Sequence, residues 1–245
     1  MAIRVGTSGW VYRDWRGDFY PADVPQRLWL EYYAKKFDTV EVNNAFYRLP
    51  SYDDFAKWRE RLPGGFVVAV KASRFLTHVK RLADPAEPVD RLMKSAAGLG
   101  DLLGPILLQL PPNLQCDVDR LDACLAEFPR GTRVAVEPRH KSWWTDDIRR
   151  VLEQRGAALA WADRKSRPLT PLWQTTDWTY LRLHEGAATP WPTYGRTALK
   201  TWAERITDDA YVYFNNDQHS TAPKNAATFH RLTHPGRQAV AQGQP

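Results

Sequence analysis

Short apolar runs alternate along the chain with stretches in which apolar residues recur every three to four positions. The runs occupy residues 3–8, 39–43, 66–71, 105–110, 133–137, 158–163, 179–184 and 211–215. Each has the length and composition of a strand. Between them, one helical face is marked by Trp29, Tyr32, Tyr33 and Phe37, and another by Val89, Leu92, Met93 and Ala96. Three more follow: Val118, Leu121 and Leu125; Ile148, Val151 and Leu152; Leu199, Trp202, Ala203 and Ile206. Ser51 precedes Asp54, Phe55, Trp58 and Leu62 in the manner of an N-cap, as Thr145 precedes Asp146 and Asp147, and Gly156 stops the second of these helices. Pro168 and Pro171 exclude a long helix from residues 166–176, so the connection after the sixth strand is expected to be irregular. The pattern predicts an α/β fold with a parallel sheet. The count of eight strands favours a single closed (β/α)8 TIM-type barrel over an open doubly wound sheet, since no Gly-rich phosphate loop follows the first strand. The barrel is expected over residues 1–233, with a disordered polar tail at 234–245.

In such a barrel, alternate strand residues face either the helices or the interior. Taking the apolar set as helix-facing, Val40 and Val42 leave Glu41 and Asn43 inside, and Val68 and Val70 leave Lys71. Ile106, Leu108 and Leu110 leave Gln109, while Val134 and Val136 leave Glu137, with Arg139 just beyond. Ala160 and Ala162 leave Trp161 and Asp163; Leu181 and Leu183 leave Arg182 and His184. Ser8 and Asn215 fit the first and eighth strands. All these polar residues fall at the C-terminal ends of their strands, the face on which barrel enzymes carry their sites. A salt-bridge network plugging the barrel top is the structural alternative. Under either reading the buried charges must pair.

The net charge of +6 and the pI of about 9.3 favour anionic partners, a small anionic substrate or nucleic acid, although the Lys and Arg residues never form a run. Cys116 and Cys124 are lone thiols, the N-terminus lacks a signal-peptide core, and no apolar stretch has the length of a membrane span. A cytoplasmic protein without membrane contact is expected.

Several motifs from one end of the chain to the other resemble the YecE-like family, also called domain of unknown function 72. They are Gly6-Thr7-Ser8-Gly9-Trp10, Phe19-Tyr20-Pro21, Val40-Glu41-Val42-Asn43 with Phe46-Tyr47, and Ala69-Val70-Lys71-Ala72. They continue with Gln109-Leu110-Pro111-Pro112, Ala135-Val136-Glu137 with Arg139-His140 and Ser142-Trp143, Leu181-Arg182-Leu183-His184, and Tyr213-Phe214-Asn215-Asn216-Asp217. The resemblance implies a TIM-type barrel and no established activity. Pro138 and residues 218–224 depart from that pattern.

The inward set holds three carboxylates, Glu41, Glu137 and Asp163, against three cations, Lys71, Arg139 and Arg182. His184 with the acids could hold a divalent metal, but the equal number of cations argues against it, and no cofactor is expected. Glu41 and Glu137 could act as an acid–base pair, or each could merely pair with a cation. Acids near Lys71 are expected to raise its pKa, which disfavours a Schiff base there. Ser8 and Gly9 could open a loop whose amides face an anion. His78 and His140 lie in strand–helix loops as proton carriers or as capping residues. Trp10, Trp143, Trp144 and Trp191 fall in loops on the pocket side, for stacking or for packing, whereas Trp29, Trp58 and Trp202 lie on helix faces as core.

The preferred expectation is a hydrolase of phosphodiester or nucleotide-type compounds. Glu41, Glu137, His184 and Asp163 are its candidate catalytic groups. Ser8, Trp10, Asn43, Lys71, Gln109, Arg139, Trp143, Arg182 and Asn215 are its candidate binding groups. The alternatives are a carbohydrate-processing hydrolase using the Glu pair, and a non-catalytic nucleic-acid or metabolite-binding barrel.

Overall fold

A computed structural model describes residues 1–234. Of the expected tail only His234 falls within them. Ten strands run in chain order: β1 (Ile3–Thr7), β2 (Thr39–Val42), β3 (Val67–Lys71), β4 (Leu103–Gln109), β5 (Val134–Glu137), β6 (Ala158–Leu159), β7 (Trp161–Arg164), β8 (Arg167–Pro168), β9 (Trp178–Leu183) and β10 (Asp209–Phe214). The helices are α1 (Trp29–Ala34), α2 (Tyr52–Arg61), α3 (Ala86–Ala96), α4 (Val118–Ala126), α5 (Asp146–Arg155), α6 (Arg196–Glu204) and α7 (Thr221–Thr233). Ser51 and Asp54 form a reciprocal capping box on α2, Thr145 caps α5, and Gly156 ends α5 at φ +62°.

The strands do not form the single closed parallel sheet that their number suggests. They divide into two five-stranded sheets, ordered β1-β10-β9-β7-β8 and β2-β3-β4-β5-β6. The first is mixed, because β8 folds back antiparallel on β7. Side-chain hydroxyls occupy the places where a continuous ladder would run. Between β1 and β2 the Tyr33 hydroxyl of α1 accepts from Thr7 N at 2.8 Å and donates to Thr39 O at 3.1 Å. Beyond it, Ser8 and Glu41 form an isolated parallel bridge. Gly6 permits this approach, since a Cβ there would lie 2.1 Å from Thr39 O.

At the other seam the predicted sixth strand is broken at Ala160 into β6 and β7. β6 pairs with β5, and β7 with β9. Thr175 Oγ1 receives Leu159 N at 2.9 Å, and Thr170 Oγ1 receives Ala162 N at 3.0 Å. Both threonines belong to the helix-free connection after β7, so that connection satisfies backbone groups the ladder leaves open.

The apolar residues form two clusters. The larger joins the inner faces of the helices to the outward strand residues, including Trp29, Phe55, Leu92, Leu121, Ile148, Trp202 and Phe229. The smaller comes from the strands and Ala160: Ala69, Leu107, Ala135, Ala158, Ala160, Trp178, Tyr180, Tyr211 and Tyr213. These are the alternate positions of β3, β4, β5, β6, β9 and β10, and they form the floor on which the polar strand ends rest.

Candidate functional site

The polar ends of β2, β4, β5 and β9 converge on the Arg182 guanidinium. Arg182 donates to both oxygens of Glu41, from Nε at 3.0 Å and Nη2 at 2.8 Å. Its Nη1 donates to Glu137 at 2.5 Å, and Nη2 reaches Ser8 Oγ at 3.5 Å. Arg182 and Glu41 are fully buried and Glu137 is 1% exposed. Glu41 also accepts from the Ser8 hydroxyl and, at 2.6 Å, from the Tyr180 hydroxyl. Glu137 accepts from Gln109 at 3.0 Å, its partner in the β4–β5 register. It accepts as well from Arg139 at 3.3 Å and from His184 Nε2 at 2.9 Å.

Burial by itself would raise both carboxyls. The Arg182 charge outweighs it only together with the other donors. Hydrogen bonds from Arg182, Ser8 and Tyr180 help to hold Glu41 below, and His184 and Arg139 help to hold Glu137 well below, the usual carboxylate range. Both are therefore ionised acceptors with their lone pairs in use, and weak bases. Desolvation pushes His184 down, against the pull of Glu137. Its Nδ1 faces the Asn215 amide nitrogen at 3.1 Å. With Nε2–H on Glu137, this is the neutral imidazole, its Nδ1 lone pair accepting from Asn215.

Lys71 differs from the other charges. It is 7% exposed; Nζ donates to Asn43 Oδ1 at 3.1 Å and lies 4.2 Å from the centre of the Phe46 ring. Among the described residues it forms no ion pair. Burial first, and then repulsion from Arg182, push its pKa down to about 8, the opposite of the direction expected from its acidic neighbours. Those acids are spent on Arg182. His78, edge-on to Phe46, is pushed down by burial and by the Lys71 charge.

Glu41, Gln109, Glu137, Arg182, His184 and Asn215 are thus linked by hydrogen bonds, with Ser8 joined through Glu41 and Arg139 through Glu137. Asn43 and Lys71 form a second pair beside them. Asp163 is not among them. Around the broken sixth strand the facing is reversed: Ala160 belongs to the interior cluster, whereas Trp161 packs with the helix-side core. Asp163 consequently accepts from the Tyr194 hydroxyl and from Trp202 Nε1 of α6, the latter at 2.9 Å. Buried without a cation, its carboxyl is pushed up to about 6.

The tryptophans also divide. Trp143 is buried and donates to Leu114 O at 2.8 Å, so it offers no stacking face, whereas Trp10 packs edge-on against Trp58 and lines a cavity of about 290 Å³. Trp144 lines a cavity of about 560 Å³ together with Glu137, Arg139 and His184. Trp191 lies against His219. His140 caps the turn at Ser142. The amides of Ser8 and Gly9 donate to Phe214 O and Glu41 O, so they do not face an anion. Tyr180 shares the alternation of Arg182 and His184, but as an aromatic residue inside an apolar run it carries no polar signal in the sequence. The Tyr194 contact to Asp163 has no sequence signal.

Among the described residues no group of three or more His, Cys, Asp or Glu is placed to hold a metal ion. None of the described helices is long and apolar enough to cross a membrane.

Comparison with known proteins agrees with the motifs. YecE of Escherichia coli K12 is 28% identical over 146 residues, covering 57% of this chain and 53% of YecE. YunF of Bacillus subtilis is 26% identical over 155 residues, 58% of this chain and 52% of YunF. The chain thus spans about half the length of the curated relatives it matches. A crystal structure of a DUF72 family protein from Thermotoga maritima superposes with a TM-score of 0.83 at 28% identity, over 95% of this chain and 99% of that one. The family described as protein of unknown function DUF72 matches residues 4–245, and the chain belongs to it.

Proposed function

We propose that this site binds a small anionic, phosphate-bearing substrate and hydrolyses it, with phosphodiesters or nucleotide-type compounds as the substrate class. The observation that carries the reading is the Lys71 ammonium, buried with an amide oxygen and a ring but no counter-ion. A desolvated cation of this kind is costly unless an anion completes it. Arg139, 40% exposed and only loosely held by Glu137, is the second anchor.

In this reading water attacks phosphorus and the P–O ester bond breaks. His184 Nδ1, covered only by the displaceable Asn215 amide, takes the proton from water. Glu137 then steadies the imidazolium. Lys71, brought near neutrality, is suited to protonate the departing oxygen, and Trp144 offers a ring beside the cavity. Glu41, Glu137 and Arg182 form the charged floor and do not exchange protons. Carbohydrate hydrolysis by paired carboxylates is less well supported, because both carboxylates are bound to one guanidinium. The same occupancy leaves no carboxylate for a divalent metal, so none belongs to this reading.

We also read the two sheets as halves of one (β/α)8 barrel, since neighbours follow chain order through both once the antiparallel edge strand β8 is set aside, and residues 1–233 as a single domain. Two free thiols suit a reducing cytoplasm.

The test is calorimetric titration of inorganic phosphate and sulfate into wild type and Lys71→Met, with turnover of a generic phosphodiester by wild type and His184→Asn. Lys71→Met should lose about 10- to 100-fold in affinity, the range for a charge-assisted hydrogen bond, with its melting temperature retained. His184→Asn should bind the anion and lose turnover about 100-fold or more. Equal anion affinity in folded wild type and Lys71→Met would overturn the reading.

A further inference from the structure

Beside the charged floor, a groove of about 730 Å³ runs between the loops that follow β2 and β3 and the flank of α3. Its surface carries a concentration of exposed rings: Tyr47 is 82% exposed, Tyr52 54% and Phe75 38%. Its charged lining is Arg74, Arg91 and Lys94, and none of the described residues lining it is acidic. Arg91 and Lys94 have exposed i,i+4 partners in Glu87 and Asp90, weak pairs that a stronger anion can displace. Arg74 has no ion pair among the described residues. The Arg91 guanidinium lies 5.5 Å from the centre of the Phe75 ring, so ring and cation already share one surface.

The groove joins the site at two points. Phe46 lines it and also lies beneath the Lys71 ammonium. Tyr47 lines it as well as a smaller cavity of about 290 Å³ that includes Asn43, the partner of Lys71. Lys71 and Arg74 are three residues apart at the end of β3, so one short stretch of backbone places a cation at each end of this passage.

We infer that the groove seats the nucleotides flanking a phosphate held at Lys71, making single-stranded nucleic acid the occupant of the site. The inference rests on the phosphate reading above and names its substrate class. Exposed aromatic faces interleaved with cations, with acids absent from the lining, suit a strand whose bases stack while its phosphates pair. An apolar peptide would use the rings but leave Arg74 without a partner. A duplex would keep its bases stacked on one another and unavailable to Tyr47 and Phe75.

The experiment is fluorescence anisotropy of a labelled twelve-nucleotide single strand, over a series of salt concentrations. It uses wild type, Tyr47→Ala, Phe75→Ala and Arg74→Ser, with inorganic phosphate titrated separately into each. All three side chains are exposed, and melting temperatures confirm that the variants fold. Each ring variant should weaken strand binding about tenfold while leaving phosphate affinity unchanged. Arg74→Ser should lower the slope of log affinity against log salt by about 0.7, the loss of one phosphate contact on a single strand. Phosphate binding without strand binding, or strand binding indifferent to all three substitutions, overturns the inference and leaves the phosphate reading standing. Preference for duplex, or for an acidic peptide over the strand, overturns it equally. Failure of both phosphate and strand to bind removes both readings.

Discussion

Replacing Arg182 by leucine strands two carboxylates that the fold has built around it. Glu41 and Glu137 are 0% and 1% exposed, and Arg182 supplies their charge partner through contacts of 2.5 to 3.0 Å. Breaking a buried ion pair by removing one member costs about 3–5 kcal/mol, because the remaining charge is left without compensation. At roughly 2–4 °C per kcal/mol for a chain of this size, Arg182→Leu should melt about 6–20 °C lower at pH 7.5. The pH dependence is the sharper test. In wild type both carboxyls lie below their ordinary value of 4.5. Their contribution is fully present above that value and is lost as pH falls through the lowered ones. Without Arg182, Glu41 has no cation to oppose its burial and its carboxyl moves above 4.5, while Glu137 keeps Arg139 and His184 and rises less. The variant's penalty then grows as pH rises and is relieved as the Glu41 carboxyl takes up its proton. Between pH 7.5 and 5 the melting temperature of the variant should therefore climb, while these two groups leave that of wild type flat. Replacing the whole triad, with Glu41→Leu, Arg182→Met and Glu137→Leu together, should recover most of the loss. Thermal denaturation followed by circular dichroism reads all three proteins. A variant that melts within about 2 °C of wild type at pH 7.5, or whose stability falls on acidification, would refute the reasoning.

Two further outcomes follow from the same charges. Sulfate affinity should fall as pH rises through the Lys71 value of about 8, because the ammonium that binds it is lost; titrations at pH 6.5, 8 and 9.5 check this, and a flat profile would assign the anion to Arg139 alone. Asp163, pushed up to about 6 from 3.8, contributes stability that is present at low pH and lost as pH rises through 6, on the order of 3 kcal/mol in all. Asp163→Asn should remove that decline, read as the difference between wild-type and variant urea unfolding at pH 5 and pH 7.5, and an unchanged difference would sink the assignment.

The order of the strands and the composition of the charged floor were legible because most strand runs alternate cleanly. Val40 and Val42 around Glu41, or Leu181 and Leu183 around Arg182, leave one choice of face, and burial of the apolar set makes it the observed one. The sheet seams were not legible. They depend on Tyr33, Thr170 and Thr175 hydroxyls that reach strands from elsewhere in the chain, and a hydroxyl carries no periodic signature. The groove was equally hidden, since exposed rings such as Tyr47 and Phe75 read in sequence like ordinary loop residues.

The sixth strand shows how one misjudged facing alters a chemical conclusion. Its run Ala158-Leu159-Ala160-Trp161-Ala162-Asp163 offers alanines on one face and large residues on the other. Reading alanine as the helix-facing apolar residue turns Trp161 and Asp163 inward. The interior there is already filled by Tyr180, Tyr211, Tyr213 and Trp178, so only alanine fits. The bulky face must turn toward the helices, and Asp163 goes with it to Tyr194 and Trp202. With Asp163 counted inside, three carboxylates balance three cations and the cluster reads as self-satisfied. With it outside, Glu41 and Glu137 face Arg182, Arg139 and Lys71, and one positive charge is left over. That surplus falls on Lys71, the buried cation without an ion pair, and it is the strongest argument that the mouth is built to receive an anion.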